Sequence, residues 1–306
     1  MAARVGKNDI VDIESVSRYN DMLGVETLHP LVSVIDMSRA SMIRHGRHTF
    51  GMYVIFLKEV KCGDMTYGRH RYDYQEGTLV CLAPGQVIGF EDNGEMFQPK
   101  GWALLFHPDL IRGTSLGRNI KSYTFFSYQV NEALHLSDSE RSMVVDCLRN
   151  IRRELEHDRD RHSKRIITVS IEMLLDYCMR FYERQFITRS HVNHDILSRF
   201  DALLEDYFSG ERPQRDGLPT VKYCAGELCL SSNYFGDLIK RETGRTAQEY
   251  IRIKLVDAAK SRILDPGRTI SQVAYELGFK YPQHFSRLFK KMVGYTPNKY
   301  RSSVDR

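Results

Sequence analysis

Two segments near the C-terminus of this 306-residue chain have nearly the same sequence. Residues 238–251 read LIKRETGRTAQEYI, and residues 288–301 read LFKKMVGYTPNKYR. Further matches at separations of 49 or 50 positions are Ala225/Ala274, Cys229/Gly278, Phe235/Phe285, Ile239/Phe289, Lys240/Lys290, Gly244/Gly294, Thr246/Thr296 and Tyr250/Tyr300. A repeat of this length indicates a duplicated supersecondary unit. The last third of the chain must therefore fold as two similar units.

Each copy predicts two helices joined by a tight turn. The first helix is short and has the matched alanine where the second helix must cross closely. The second helix has an apolar pair four positions apart, which we expect to face inward and to leave the other face outside. The matched glycines suit helix C-termini, and the matched threonines suit N-caps. We therefore predict a helix-turn-helix unit at about 221–244 and a second at about 270–294.

The segment between the two units predicts one continuous helix at 246–264. It reads TAQEYIRIKLVDAAKSRIL and is followed by the breakers Asp265-Pro266-Gly267. A helix of this length spans about 28 Å, and successive major-groove faces of DNA lie about 34 Å apart. With the widths of the flanking units added, one chain could reach two neighbouring major grooves.

The basic excess of the chain lies in the same third. The whole chain has a net charge of +5, and residues 196–306 have 19 Lys and Arg against 13 Asp and Glu, a net charge of +6. Residues 281–301 contain five cations and no acid, whereas residues 231–245 sum to only +1. A basic region favours contact with a polyanion, so we expect the second unit to bind more strongly. A solvated basic surface is the alternative.

The segment from Ala274 to Arg301 follows the pattern A-x-x-L-G-F, F-S-R-L-F-K-K and G-x-T-P-x-x-Y-R. This pattern resembles the signature of AraC/XylS-type transcription regulators, and the resemblance extends over residues 196–303. It implies a C-terminal DNA-binding domain, which we place at 196–306, after a cupin-like effector domain and dimerisation helices. It also implies double-stranded DNA and a second copy of the chain as partners, with a small-molecule effector and RNA polymerase as further candidates.

We predict two kinds of DNA contact from the outer helix faces. Asn233 in the first unit and Gln283 and Arg287 in the second are the expected base readers. Lysines are expected to contact phosphates, and Asp237 would repel phosphate but could accept a hydrogen bond from cytosine. For each residue a solvated helix surface is the alternative. The other predicted contacts are Ser231, Ser232, Lys240, Tyr281, His284, Ser286, Lys290 and Lys291.

Residues 28–135 predict a β-rich domain. Short apolar or alternating runs such as TFGMYVIFLKEV and GWALLF are separated by turn signals such as Pro84-Gly85. This spacing is typical of a small barrel or sandwich, which the resemblance makes a cupin-like barrel. The expected fold class is α+β multidomain, with a cupin-like β-barrel, dimerisation helices and an all-α double helix-turn-helix domain.

The rest of the front part predicts an arm, two helices and a linker, at 1–27, 136–187 and 188–195. Ser137 and Glu140 have capping-box spacing at the start of one helix. The other helix, 163–185, is apolar over so much of its circumference that we expect it to pack on its own domain and on a partner chain. The polar stretch TRSHVNHD is typical of a linker.

A metal site in the barrel is the main alternative for the front half. His45, His48, His70 and Glu76 resemble part of the metal-binding set of cupin enzymes, but the later histidine is missing near Ile88. We therefore predict no metal, no cofactor and no catalytic residue. A cupin-fold metal enzyme fused to a DNA tether is the rival hypothesis.

The predicted effector pocket contains Arg69, His70, Tyr72 and Trp102, with core packing as the alternative for the tryptophan. No run of 18 apolar residues is present, and the N-terminus has acids where a signal peptide is apolar. We expect no membrane span and a cytoplasmic location. The predicted function is a sequence-specific DNA-binding transcription regulator, controlled by a small-molecule effector or by dimerisation.

Overall fold

The computed structural model describes residues 10–44, 46–59, 65–67, 70–72, 77–89, 96–128, 132–188 and 190–304. The chain divides into two compact units, Met1–Thr188 and Arg189–Arg306. None of the helices in the described ranges is long and apolar enough to cross a membrane.

The first unit combines short strands with helices at both ends. Its strands are β1 (Ile10–Ile13), β2 (Val32–Asp36), β3 (Ile43–Arg44), β4 (Arg47–Phe50), β5 (Tyr53–Lys58), β6 (Met65–Tyr67), β7 (His70–Tyr72), β8 (Thr78–Leu82), β9 (Val87–Gly89), β10 (Met96–Phe97), β11 (Gly101–Phe106) and β12 (Leu134–His135). Its helices are α1 (Val16–Leu23), α2 (Pro108–Ile111), α3 (Ser115–Asn119), α4 (Asp138–Glu156) and α5 (Ser163–Thr188).

The largest sheet is antiparallel, with strand order β12-β8-β5-β11-β2. Side chains alternate between its two faces, because successive residues of a strand point in opposite directions. Ala103 and Leu105 of β11 join a core cluster with α1 and β4. Phe106 lies on the other face and stacks on Tyr53 at 5.0 Å, and α4 contacts β2 and β11. Both faces of this sheet are therefore covered.

The expectation of a closed barrel is not met by the described strands. They form four separate sheets: the five-stranded sheet, β1-β4-β9, β10-β3 and β6-β7. Closure would require hydrogen bonds between the first and last strands, with a fixed stagger around the ring. Alternating apolar residues predict that strands exist and which face is buried, but they do not specify that pairing. The structure supports a sheet-rich unit.

Helix α4 begins with the predicted capping box. The Ser137 hydroxyl accepts from the Glu140 amide at 3.4 Å, and the Glu140 carboxylate accepts from the Ser137 amide at 2.8 Å. The guanidinium of Arg184, on α5, donates to the same carboxylate at 2.6 Å. Burial alone would raise the pKa of Glu140, but these hydrogen bonds and the Arg184 charge lower it below its usual value. The carboxylate joins α4 to α5.

Helix α5 is three residues longer than predicted and has two different faces. Ile171, Leu174 and Cys178 are completely buried against the unit. Ile166, Val169 and Met173 are exposed, at 45%, 50% and 42% of their surface. The spacing of these three residues, three and four apart, places them on one stripe. This stripe is an exposed apolar surface, and the packing of the helix on a partner chain stays a prediction.

The second unit is all helical. Its helices are α6 (Ser190–Ser209), α7 (Arg212–Asp216), α8 (Val221–Glu227), α9 (Ser232–Thr243), α10 (Ala247–Ile263), α11 (Ile270–Glu276), α12 (Pro282–Val293) and α13 (Pro297–Val304). Helix α10 contacts α6, α9, α11 and α12. It is therefore the central helix of the unit.

The polar segment predicted as a linker at 188–195 is largely helical instead, because α6 begins at Ser190. Asn193, within that segment, is buried, and its amide donates to the Glu242 carboxylate of α9 at 3.2 Å. A polar sequence is typical of a linker, but here a hydrogen bond to a helix distant in sequence fixes it in place. Local composition could not reveal that partner.

Candidate nucleic-acid interface

The first helix-turn-helix unit consists of α8, a tight turn and α9. The Leu230 amide donates back to the Ala225 carbonyl at 2.9 Å and closes the turn. The Ser231 hydroxyl accepts from the Tyr234 amide at 3.2 Å and caps α9. Cys229, in the turn, has a φ of 59°, a left-handed conformation that residues other than glycine adopt uncommonly. The backbone path of this turn is thus set by hydrogen bonds at both ends.

The inner face of α9 is apolar and the outer face is polar. Phe235 and Ile239 are completely buried, and the Phe235 ring meets Phe200 of α6 edge-on at 4.9 Å. Asn233 and Lys240, which lie two turns apart on the opposite side, are exposed. The outer face consists of Ser232, Asn233, Gly236, Asp237 and Lys240, with Gly236 and Asp237 half-buried.

The second unit repeats this construction with α11, a turn and α12. The Phe279 amide donates to the Ala274 carbonyl at 3.0 Å, as Leu230 does to Ala225 in the first unit. Gly278 occupies the position of Cys229 and has a φ of 88°. The matched alanines Ala225 and Ala274 are both buried, as the predicted close crossing requires. The repeat in sequence is therefore a repeat of turn geometry.

The outer face of α12 is more basic than that of α9. Phe285 and Phe289 are buried, with their rings 5.8 Å apart, and this fixes which face points outward. The exposed polar side chains at α12 are Tyr281, Gln283, His284, Arg287, Lys290 and Lys291. The carboxylates that occur on α9 have no counterpart on this helix. A polyanion would be attracted more strongly to α12.

Two of the predicted DNA contacts have structural roles or reduced exposure. Ser231 is only 9% exposed, and its hydroxyl is used to cap α9. Ser286 is half-buried beside Phe285. The other nine predicted contacts are exposed, and they lie on the outer faces or N-termini of α9 and α12. The structure thus brings the predicted residues together in two groups, one for each unit.

Two of the five cations counted in residues 281–301 are engaged within the protein. The Arg301 guanidinium donates to the Ile263 carbonyl at 2.5 Å and to the Arg268 carbonyl at 2.7 Å, at the end of α10. The Lys299 ammonium lies 4.8 Å from the centre of the Tyr295 ring. The basic surface available to a ligand is therefore concentrated at Arg287, Lys290 and Lys291. Charge counting missed this distinction because it contains no geometry.

The N-terminal half of the central helix α10 is held by a cap and by contacts with α6. Its N-cap is Thr246, in a capping box with Glu249, as the sequence predicted for the threonine. The Tyr250 hydroxyl donates to the Asp201 carboxylate of α6 at 2.8 Å, and burial and this hydrogen bond raise the pKa of Tyr250 to about 12. The same carboxylate pairs with Lys254 at 2.8 Å. Its 17 residues span about 25 Å.

The predicted effector residues are only partly described. Arg69 lies outside the described residues, and His70 and Tyr72 are described as backbone of β7. Trp102 is half-buried on β11 and lines a surface groove between the five-stranded sheet and α4. The structure therefore places the tryptophan beside a groove rather than inside a barrel.

Of the predicted incomplete metal set, His45 and Glu76 lie outside the described residues. His48 is half-buried on β4, and burial lowers the pKa of its imidazole. Within the parts of the chain that the structure describes, no group of three or more His, Cys, Asp or Glu is placed to hold a metal ion.

Comparison with known proteins gives a match in the same C-terminal segment. Residues 224–303 match the family model of a helix-turn-helix domain. YesN, a transcriptional regulatory protein of Bacillus subtilis, is 35% identical over 27% of this chain and 23% of its own length. The activator RhaS of Salmonella paratyphi B is 26% identical over 44% of this chain and 46% of its own length. LumQ of Photobacterium leiognathi, a probable transcriptional regulator, is 23% identical over 74% of this chain and 83% of its own length.

The chain spans less than a quarter of the length of YesN and 11% of another B. subtilis relative, YtdP. Among solved structures, the C-terminal domain of AraT from Geobacillus stearothermophilus is 27% identical, covering 35% of this chain and 84% of that one, with a TM-score of 0.31. The AdpA DNA-binding domain in complex with target DNA is 19% identical, covering 36% of this chain and 90% of that one, with a TM-score of 0.29. With the family match and the signature residues, the C-terminal region of this chain is a helix-turn-helix domain of the AraC/XylS type.

Proposed function

We propose that the full chain is a sequence-specific DNA-binding transcription regulator. The observation that carries the proposal is the pair of helix-turn-helix units joined by the fixed helix α10, each with an exposed polar face on its second helix. The similarity to RhaS, a transcriptional activator, and to LumQ, a probable transcriptional regulator, supports it. The chain acts on double-stranded DNA in the cytoplasm, with RNA polymerase as a further partner.

The two units divide the DNA contacts unequally. Helix α12 is the stronger contact, because Lys290 and Lys291 attract phosphates and its exposed face contains no acid. Arg287, one turn before Lys291, can form a bidentate pair with guanine in the major groove. On α9, Asn233 can read adenine, and the net charge of its segment is only +1. The second unit fixes affinity, and both units contribute sequence preference.

The N-terminal compact unit, Met1–Thr188, forms a homodimer through α5. Ile166, Val169 and Met173 form an exposed apolar stripe on a helix whose other face is already buried. Burial of such a stripe against its own copy removes apolar surface from water, at about 25 cal/mol per Å². Two copies bound together would present four recognition helices to one DNA site, which raises the effective affinity of each.

Sedimentation of the full chain tests the dimer. Val169→Asp places a charge in the stripe, and we expect it to shift the protein to monomer at micromolar concentrations. Met42→Asp is the matched control, because Met42 is equally exposed, at 52%, but lies outside α5. Wild-type protein that sediments as a monomer at tens of micromolar, or two variants that behave alike, would contradict the proposed interface.

Selection of genomic DNA fragments on the purified full chain tests the function itself. We expect each bound copy to select a pair of sequence elements about one helical turn apart, since each of its two recognition helices enters one major groove. The affinity for an enriched site should exceed that for scrambled DNA by about 10³-fold or more. Recovery of fragments without a shared motif would contradict sequence-specific binding.

A further inference from the structure

The N-terminal compact unit, Met1–Thr188, has a groove on its surface between the outer face of the five-stranded sheet and α4. It consists of two adjoining lobes of about 370 and 290 Å³, which share Asp36, Trp102 and Arg149. We name it the Trp102 groove after the aromatic side chain among these three. Pockets that bind small molecules span about 300–1,000 Å³, so each lobe can hold part of such a ligand.

The strand register puts the indole in this position. Trp102 pairs with Asp36 of β2 and Leu57 of β5, so these residues point to the same face of the sheet. Two residues beyond Leu57, Glu59 joins the same face and pairs with Arg141 of α4. The helix thus arches over the end of the strands and leaves the tryptophan half-buried beneath it. A flat aromatic surface is available for stacking.

The two lobes have opposite electrostatic character. The second lobe is lined by four guanidinium groups and two carboxylates, a net charge of +2: Arg39, Arg149, Arg152, Arg153, Asp36 and Glu156. The first lobe contains three carboxylates, from Asp36, Glu59 and Asp146, against two guanidinium groups. One end of the groove therefore favours an anion, and the other favours hydrogen-bond donors.

The arginines of the second lobe are available to a ligand despite their own partners. Arg152 pairs with Glu156 at 2.9 Å, and Arg149 pairs with Asp146 at 3.5 Å, one turn away along α4. The Arg149–Asp146 pair is exposed and the Arg152–Glu156 pair is partly exposed. Surface pairs contribute little to stability, so a bound anion can replace them. The Arg153 guanidinium donates to the neutral side chain of Asn150 at 3.3 Å, and this contact does not compensate its charge. Arginine forks match phosphate oxygens in geometry.

We propose that the Trp102 groove binds a small aromatic phosphate of the nucleoside monophosphate class. The phosphate lies among Arg149, Arg152 and Arg153, the flat ring stacks on Trp102, and hydroxyl or amino donors reach the carboxylates of the first lobe. This inference rests on the regulator proposed above and deepens the expectation, drawn from the sequence, that a small-molecule effector controls it. The binding itself does not depend on DNA, and it can be measured on the chain alone.

Trp102 is the only tryptophan in the chain, so its fluorescence reports on the groove directly. The full chain is titrated without DNA with AMP and phenyl phosphate, and with adenosine and inorganic phosphate as the counterparts that lack the charge or the ring. We expect AMP or phenyl phosphate to quench the emission with a dissociation constant below about 1 mM. Adenosine and inorganic phosphate should bind at least about tenfold more weakly.

Arg153→Gln and Arg149→Gln keep the size of the side chain and remove its charge, and each should weaken AMP binding about tenfold. Both residues are exposed, so folding is preserved. Arg112→Gln is the control, because Arg112 pairs with Asp109 outside the groove. The proposal is overturned if neither aromatic phosphate changes the emission at about 5 mM. It is also overturned if adenosine or inorganic phosphate binds as well as AMP, or if all three variants behave alike.

Loss of ligand binding in this titration leaves the DNA selection unaffected, since that experiment contains no nucleotide. Failure of the DNA selection likewise leaves the titration unaffected. The two proposals can therefore fail separately.

Discussion

Cys229 and Gly278 occupy the same turn position in the two repeats but differ in their fit to it. Both have a left-handed backbone, with φ of 59° and 88°. A residue with a Cβ atom loses roughly 1–2 kcal/mol in this conformation, whereas glycine adopts it freely. The side chain of Cys229 is exposed, so little packing is lost when it is removed. The first turn therefore contains avoidable backbone strain.

Cys229→Gly should stabilise the domain by about 1 kcal/mol. The relief of about 1–2 kcal/mol is offset by the greater freedom of glycine in the unfolded chain, which costs about 0.4–1 kcal/mol. For a unit of this size, 1 kcal/mol corresponds to a rise in Tm of about 3–5 °C. Cys229→Ala is the matched control, because it removes the thiol and keeps the Cβ atom, and it should leave Tm nearly unchanged.

Gly278→Ala should have the opposite effect. A Cβ atom there would lie 2.6 Å from the Pro213 carbonyl oxygen and 2.9 Å from the Gly217 carbonyl carbon, both of them backbone atoms. The left-handed conformation and the clash each contribute, and we expect a loss of about 3 kcal/mol or more.

Urea denaturation of fragment 190–306 and of the full chain, followed by circular dichroism, measures these changes. The expected order of stability is Cys229→Gly, then wild type and Cys229→Ala together, then Gly278→Ala. A destabilised Cys229→Gly variant would refute the argument from backbone strain. An equal gain in Cys229→Ala and Cys229→Gly would assign the effect to the thiol instead.

Three further changes test other parts of the account. Gly236→Ala should raise the stability of α9 by about 1 kcal/mol in urea denaturation, because a Cβ atom there meets no other group; a destabilised variant would show an unseen constraint. Arg301→Met should lower the free energy of unfolding by about 2–3 kcal/mol in the same assay, because carbonyls at the end of α10 lose a charged donor; an unchanged midpoint would contradict that role. Glu140→Gln should destabilise the chain near neutral pH. The pKa of Glu140 is lowered from its usual value of about 4.5, so the ionised carboxylate stabilises the folded protein at any pH above that value. That difference should shrink as the pH falls below about 4.5 and vanish once the carboxyl is protonated in the folded protein. A pH-independent difference would exclude the Arg184 charge as its cause.

The repeated last third of the chain was the most predictable from the sequence, because its structure depends on local contacts. The caps at Thr246, Gly244 and Gly294 and the buried pairs of α9 and α12 are each specified by residues a few positions apart. Thr296 likewise accepts from the Lys299 amide at 3.3 Å at the start of α13. Signals of this range can be read from one sequence.

The errors concern partners distant in sequence. A closed barrel was expected, but the described strands form open sheets. The alternation of apolar residues does not specify the order in which strands pair, so it could not predict this. Residues 190–195 were expected in a linker and are helical, with Asn193 bonded to Glu242. Arg301 was counted with the DNA-facing charge and instead donates to carbonyls about 35 residues earlier.

The most direct test of the central claim compares Arg287→Ala with Lys290→Ala on a selected DNA site, by fluorescence anisotropy of the full chain. Both residues are exposed on α12. Arg287→Ala should reduce discrimination against scrambled DNA by about 1–3 kcal/mol, through loss of a base contact. Lys290→Ala should weaken both DNAs similarly and lower the salt slope by about 1. If both variants bind the selected site as tightly and as selectively as the wild type, α12 is not the recognition helix and the account is wrong.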